Sequence, residues 1–311
     1  MQTINLKKIK TYPLKKRLSK VKLGSFARTP KQKQSFSGFF QSLPDILKAK
    51  DLHAIVDAVV KARRAAKPVI LMCGAHVIKC GLNPVVIELI RKKIITCLAL
   101  NGACVIHDFE LSLQGETSED VAENLKYGKF GMGRETADFI NYAIKDGVLA
   151  GFGIGESVAK KIAESKLPYK NLSLIYNAYK NHIPVCVHVA IGTDIIHQHA
   201  SFDGSAAGEG SIRDFYRLTE CVRGLNNGGV ALNFGSAVIM PEVFLKALNL
   251  ARNLGFPVKN FTTANFDMIY QYRPSQNIVT RPVSSGGKGY YIIGHHEIML
   301  PLLAQAITEQ L

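Results

Sequence analysis

No aspartate or glutamate occurs in the first 44 residues of this chain, and no apolar run anywhere reaches membrane-spanning length. A bilayer-crossing helix needs about 20 consecutive apolar residues, so a membrane partner is not expected. Nor is a secretory leader, because no apolar core follows the first basic residues. The cysteines are few, at six, and none forms a C-x-x-C pair. A zinc ribbon or dithiol redox centre is therefore not expected; buried free thiols in a reducing cytoplasm are. No histidine pair has a third ligand at a diagnostic spacing, so no metal is expected either. Acidic and Gln/Ser-rich tracts are lacking, which argues against global disorder. Tryptophan is absent, and that excludes nothing.

What is present is enough apolar material for a large core: 47% of 311 residues are hydrophobic and 20% charged. The formal charge of +15 is concentrated in the acid-free start, which carries eleven Lys or Arg; without it about +4 remains. This divides the chain into a basic arm, 1–44, and an α/β domain, 45–311. Leu14, Leu18, Val21, Leu23 and Phe26 suit an extended arm anchored on its own fold or on a neighbouring subunit. The alternative is contact with nucleic acid or an anionic surface.

Beyond the arm, apolar runs alternate with amphipathic stretches. The pattern predicts strands at 68–73, 103–106, 183–190 and 230–234, and near 258–264 and 289–294. Helices are predicted from Asp45, from Asn83, over 134–146, 156–165, 171–181, 211–224 and 241–253, and from about 298. Residues 112–133, Gly- and acid-containing and irregular, read as the long loop best suited to function, and 201–210 as a Gly- and Ser-rich loop. Strands of five to eight apolar residues alternating with helices predict an α/β fold, a doubly wound, mostly parallel sheet with helices on both faces. In such sheets a small-molecule substrate sits in a crevice beyond the strand C-termini.

The candidate site residues are grouped by that rule. Gly74-Ala75-His76, Asn101-Gly102-Ala103 and Gly235-Ser236-Ala237 are small-residue turns that admit a ligand close to the backbone, although a tight turn alone explains any one of them. Gly192-Thr193-Asp194 follows the strand at 183–190. The run Gly151-Phe152-Gly153-Ile154-Gly155 fails the G-x-G-x-x-G spacing and reads as a helix–helix connection. His107, His197, His199 and His295 are candidate general acids or bases, against the competing reading of core or surface histidine. Lys288, between glycines, is either an imine-forming amine or anion contact, or a solvent-exposed loop lysine.

Taken in order over residues 65–305, these segments resemble the deoxyhypusine synthase family. Lys180-Asn181-His182-Ile183-Pro184-Val185 matches that family's K-N-H-I-P-V, and Thr193-Asp194 its Thr-Asp turn, a T-D-G-S position for which Asp203-Gly204-Ser205 competes. Lys67-Pro68-Val69-Ile70 through Cys80-Gly81 is similar to the opening of its nicotinamide-binding half. Asn101-Gly102-Ala103 stands at its Thr-Ala-Gly turn, and Leu300-Pro301-Leu302-Leu303 matches F-P-L-L. The resemblance implies a Rossmann-like fold, bound NAD contacted by the three turns and Asp194, and a homo-oligomer, a tetramer in the family, with a mobile N-terminal arm. It also implies an amine substrate, since family members oxidise spermidine and carry the aminobutyl group on a lysine.

The departures bear on that reaction. Ile278-Val279-Thr280-Arg281 replaces the family's W-G-K segment, and a guanidinium cannot form the imine. Gly235 through Glu242 lacks the substrate-side histidine, His295-His296-Glu297 replaces Asp-Ala-Ser, and the acid-rich loop shrinks to Asn265-Phe266-Asp267. The expectation is NAD-dependent oxidation or transfer on an amine or related small molecule, distinct from deoxyhypusine synthesis, with Lys288, His107, His197 or His295 assisting. Two other readings stay open: a non-catalytic oligomer that binds nucleic acid through its arm, and an enzyme for a phosphorylated substrate met by Arg273, Arg281 and Lys288.

Overall fold

The computed structural model describes residues 4–311 and falls into two compact units, one ending at Lys50 and the other Asp51–Leu311. In the first, single 3-10 turns at Leu6–Lys8, Leu14–Lys16 and Leu23–Ser25 are joined by extended backbone. A short helix follows, α1 (Phe36–Ser42), which Ser35 caps by accepting the Gly38 N–H at 3.1 Å. None of the expected anchors is buried: Leu14, Leu18, Val21, Leu23 and Phe26 are all more than half exposed.

The second unit is built on six strands, β1 (Val69–Cys73), β2 (Cys97–Asn101), β3 (Val185–His188), β4 (Val230–Phe234), β5 (Phe261–Asp267) and β6 (Gly287–Ile293). All are parallel, in the order β3-β2-β1-β4-β5-β6. The chain winds outward from β1 to β3, then returns to β4 on the other side of β1, which puts the switch point between β1 and β4. Connections are helical: α2 (Leu47–Arg64), α3 (His76–Lys79), α4 (Asn83–Arg91), α5 (Gly102–Gln114), α6 (Val121–Leu125), α7 (Arg134–Leu149), α8 (Ile154–Glu164), α9 (Leu174–Lys180), α10 (Gly204–Arg223), α11 (Ile239–Asn253), the turn α12 (Tyr272–Pro274) and α13 (His296–Thr308).

Alternation along the strands explains the two-sided core. Ile70 and Met72 pack with Ala99, Cys186 and Ala231 against Leu218 and Val222 of α10 and Phe244 and Leu248 of α11. Val69, Leu71 and Cys73 point the other way and are equally buried, so the sheet is covered on both faces. The cysteines are all unpaired. Among the described residues no helix is long and apolar enough to cross a membrane.

Three expectations need correction. Residues 103–106 are helical, not a strand: Asn101 ends β2 and its side chain accepts the Cys104 N–H at 3.1 Å, so α5 begins at once. A four-residue apolar run fits either element, and here the cap decides. The run 201–210 is mostly helix, because Asp203 accepts from Ser205 and Ala206 N–H at 2.9 and 3.0 Å and starts α10 at Gly204. Its small residues serve packing; a Cβ on Gly210 would lie 2.8 Å from Ile154 Cγ1. Lys288 is in no loop: it belongs to β6, in register with Thr262 of β5.

The Gly151–Gly155 run has a structural explanation. The Asp214 carboxylate sits at the α8 N-terminus, accepting the Gly155 N–H at 2.9 Å and the Val187 N–H of β3 at 2.8 Å. A Cβ on Gly155 would come within 2.1 Å of the Val185 carbonyl. The helix dipole thus meets a carboxylate of its own chain, and the glycine lets helix and strand touch.

Candidate functional site

Two clusters form where the strands end. At the switch point, the turns after β1 and β4 interlock, since a Cβ on Gly74 would meet Gly235 O at 2.4 Å and one on Gly235 would meet His296 Nε2 at 2.7 Å. His76 lies edge-on to His296, with ring centroids 5.6 Å apart. Ser236 Oγ accepts the Met240 N–H at 3.2 Å in the first turn of α11. His296 is buried, its Nδ1 has no partner, and burial holds its imidazole below the usual range. Beneath, Asn233 Nδ2 donates to Asn265 Oδ1 at 2.6 Å and to Ser236 O at 2.9 Å, joining β4 to β5.

The second cluster lies beyond β2 and β3. His188, the last residue of β3, pairs in register with Asn101. It is 3% exposed, its Nε2 is unpartnered, and burial pushes its pKa down to about 4, so the ring is neutral near pH 7. The Asp194 carboxylate lies at the start of α5, where a Cβ on Gly102 would stand 2.0 Å from Oδ2. That oxygen also has no hydrogen-bond partner, and burial pushes the carboxyl up to about 6. His197 faces it: Nδ1 accepts the Gly192 and Asp194 N–H groups at 3.0 and 3.2 Å, which assigns the proton to Nε2, 3.8 Å from Asp194 Oδ2. An acid–base couple results, with its tautomer fixed by backbone.

Asp194 opens onto a cavity of about 600 Å³ between α5, the start of α7 and the segment 116–121. Glu110, Glu116, Glu119, Glu135 and Asp194 line it, against one cation, Lys79. On its α5 wall, His107 Nδ1 lies 2.6 Å from Thr117 Oγ1, which donates in turn to Glu110. Burial opposes ionisation of Glu110, but the His107 and Thr117 bonds and a 3.2 Å bond from Thr136 outweigh it and hold the carboxyl below its usual range. In a chain of net charge +15, this pocket is acidic and selects for cations. A larger groove, about 1070 Å³, borders the N-terminal end of β3. Its buried carboxylate is Asp214, already engaged with α8 and β3, and Arg213 is bound to the Val148 and Phe152 carbonyls and to Glu209.

The predicted residues separate accordingly. Gly74, Ala75, His76, Gly235, Ser236 and Ala237 gather at the switch point; Asn101, Gly102, Ala103, Asp194, His107 and His197 gather around the acidic cavity. His199 Nε2 is bonded to Gly131 O at 2.7 Å, and His295 is exposed at the α13 N-terminus, 3.8 Å from Glu297. Lys288 is brought to neither: it is exposed at the N-terminal end of β6, about 17 Å along the strand from its C-terminus. Arg273 is paired with Glu242 and Arg281 with Asn277, each at 2.8 Å. Sequence reading missed His188, Glu110 and the 116–135 carboxylates. His188 had one signal, a lone polar residue closing an apolar strand. Glu116 and Glu119 had a coarse one, the acid-containing loop 112–133, but not their convergence with Glu110 and Asp194, which meet them only once the chain has folded.

No known sequence family matches the chain, and no curated protein does. Solved structures do share its fold. The chain is similar to AgrE in complex with ornithine and NAD+ (TM-score 0.52, 17% identity, 84% of this chain and 33% of that one). It is similar to a LOR/SDH-type protein of Methanococcus maripaludis S2 (0.51, 15%, 89% and 71%). A presumptive deoxyhypusine synthase from Entamoeba histolytica is a third (0.51, 9%, 88% and 93%). The chain spans about a third of the length of AgrE. These likenesses are of fold.

Proposed function

We propose that the chain is an NAD-dependent enzyme that oxidises a small amine at the strand C-termini, without carrying the product on Lys288. The acidic cavity beside Asp194 and His197 carries this reading: five carboxylates against one lysine suit an ammonium-bearing substrate and disfavour a phosphorylated one. The similarity to AgrE, whose complex holds ornithine and NAD+, and the resemblance to deoxyhypusine synthases point the same way. NAD, when bound, supplies the hydride acceptor. Residues that would hold it are Gly74, His76, Gly235, Ser236 and Ala237, and the unpartnered His296 Nδ1 is a buried polar atom suited to a ligand there.

The chain's own residues then do the following. Glu110, fixed by His107, Thr117 and Thr136, orients the ammonium group. Asp194 takes the proton released as the C–N bond is oxidised, and His197 Nε2–H steadies the resulting position. Lys288, at the far end of the sheet, cannot form an imine at this site, and the one amine that lines the cavity is Lys79. We assign the exposed apolar rim beyond β5 and β6, Met268, Ile269, Tyr270, Tyr272, Ile293 and Ile298, to homo-oligomer contacts, and the unpaired thiols fit a reducing cytoplasm.

The purified full chain is expected to enhance NADH fluorescence on binding, and to reduce NAD+ when spermidine or putrescine is supplied as probe. Failure to bind NAD+ or NADH would refute the cofactor assignment; binding without reduction by either amine, or by ornithine, would refute the substrate class.

A further inference from the structure

The basic arm holds a second pattern that the strand-end site does not use. Pro13 and Gly24 bracket ten residues, Leu14–Leu23, with the start and stop signals of a helix. At helical spacing Leu14, Leu18 and Val21 share one face (i, i+4, i+7), flanked by Arg17 and Lys22, while Lys15, Lys16 and Lys20 occupy the other faces together with Leu23 at the end of the segment. No acid interrupts them. Yet the segment forms no α-helix: Leu14–Lys16 is a single 3-10 turn, the backbone is extended at Arg17, with φ −75° and ψ 131°, and Leu23 opens the next 3-10 turn. Leu14 is 69% exposed, Leu18 98% and Val21 56%.

The extended state has a physical cause. Ten residues are too few for a stable isolated helix, and Lys15, Lys16 and Arg17 oppose the dipole at its N-terminus. A negatively charged surface that also accepts aliphatic side chains removes both obstacles, by neutralising the cations and burying the stripe. Nucleic acid offers the charge but no use for the stripe, since single strands are bound by aromatic stacking and this segment has no aromatic residue. We infer that residues 14–23 fold into a basic amphipathic helix on an anionic lipid bilayer, lying in the interface without spanning it. Such a mode is compatible with the absence of a spanning helix, and it replaces the expectation of no membrane partner.

The lack of tryptophan supplies a clean reporter. In full-length Leu18→Trp, the emission is expected to shift to the blue with vesicles of phosphatidylglycerol and phosphatidylcholine, but not with phosphatidylcholine alone. Co-sedimentation of the unlabelled full chain with the anionic vesicles should fall at least tenfold in Leu14→Ser/Leu18→Ser/Val21→Ser, which keeps every charge. The inference is overturned if neither signal appears, or if sedimentation survives the triple serine variant, which would mean adhesion by charge alone. It is also overturned if single-stranded RNA is bound more tightly than the vesicles and the serine variant retains that binding. These substitutions lie on exposed residues outside the strand-end site, so unchanged circular dichroism of the free variants serves as the folding control.

Discussion

Asp108→Ala is expected to lower the unfolding free energy by about 3–5 kcal/mol, because it strips one acceptor from several buried donors at once. Asp108 is fully buried on α5 and receives Ser173 Oγ at 2.5 Å, Leu174 N at 2.7 Å, Ile175 N at 3.3 Å and Asn83 Nδ2 at 3.2 Å. It thereby fastens α5 to the N-terminus of α9 and the start of α4; of those donors Asn83 Nδ2 also reaches the Leu172 carbonyl, at 2.8 Å. Burial pushes the carboxyl up to about 6, against the pull of these bonds, from an ordinary value of 3.8. A pKa raised on folding contributes stability that is full below pH 3.8 and lost as pH climbs through about 6. Asp108→Asn, which keeps an acceptor but carries no charge, should therefore show a deficit that shrinks between pH 5 and pH 8. Urea unfolding at the two pH values measures it. A deficit that widens with pH would mean that the carboxylate is held ionised and that the bonds outweigh burial.

How much of this was legible beforehand depends on whether a signal was local. The parallel α/β sheet was, because β1, β3 and β4 are short apolar runs closed by Gly74, Gly192 and Gly235 turns, and the strand-end rule then grouped the right turns. The register error at 103–106 also came from a local ambiguity: Cys97–Asn101 and Gly102–Gln114 are both apolar, and only the Asn101 cap separates them. Lys288 was misplaced because glycines on both sides suggest a loop, whereas Gly287 and Gly289 lie in β6 pressed against Phe261 and Val279. A Cβ on Gly289 would stand 1.9 Å from the Val279 carbonyl, so the glycines answer to a neighbour remote in sequence. The acidic pocket was legible only in part, through the acid-containing loop 112–133, for the same reason. Its acids span Glu110 to Asp194, and the sequence drew attention to 265–267 as a loop, whereas Asn265 and Asp267 are the last residues of β5 and serve the sheet end.

Asp194→Asn is expected to lower amine oxidation by a factor of about 10²–10⁴, the usual cost of removing a positioned base, while leaving the protein as stable or more so above pH 6. Both parts follow from one buried group. Asp194 is 8% exposed with Oδ2 unpartnered, and burial alone pushes it up to about 6. By the linkage sign, its contribution is full below pH 3.8 and lost as pH rises through about 6. Above that value the wild type holds a charge that the cavity does not compensate, and asparagine, itself a good cap for the turn Ile195–Gln198, removes it. The same titration should appear in the wild-type rate as an ascending limb of one-proton slope centred near pH 6, flat above, since only the carboxylate accepts a proton. The limb should vanish in Asp194→Asn and move to higher pH in His197→Phe, which withdraws the Nε2–H facing the carboxylate at 3.8 Å. Rate profiles together with urea midpoints at pH 8 separate this from a structural role. A residue that merely held the loop would lose stability along with activity, and a base would lose activity alone.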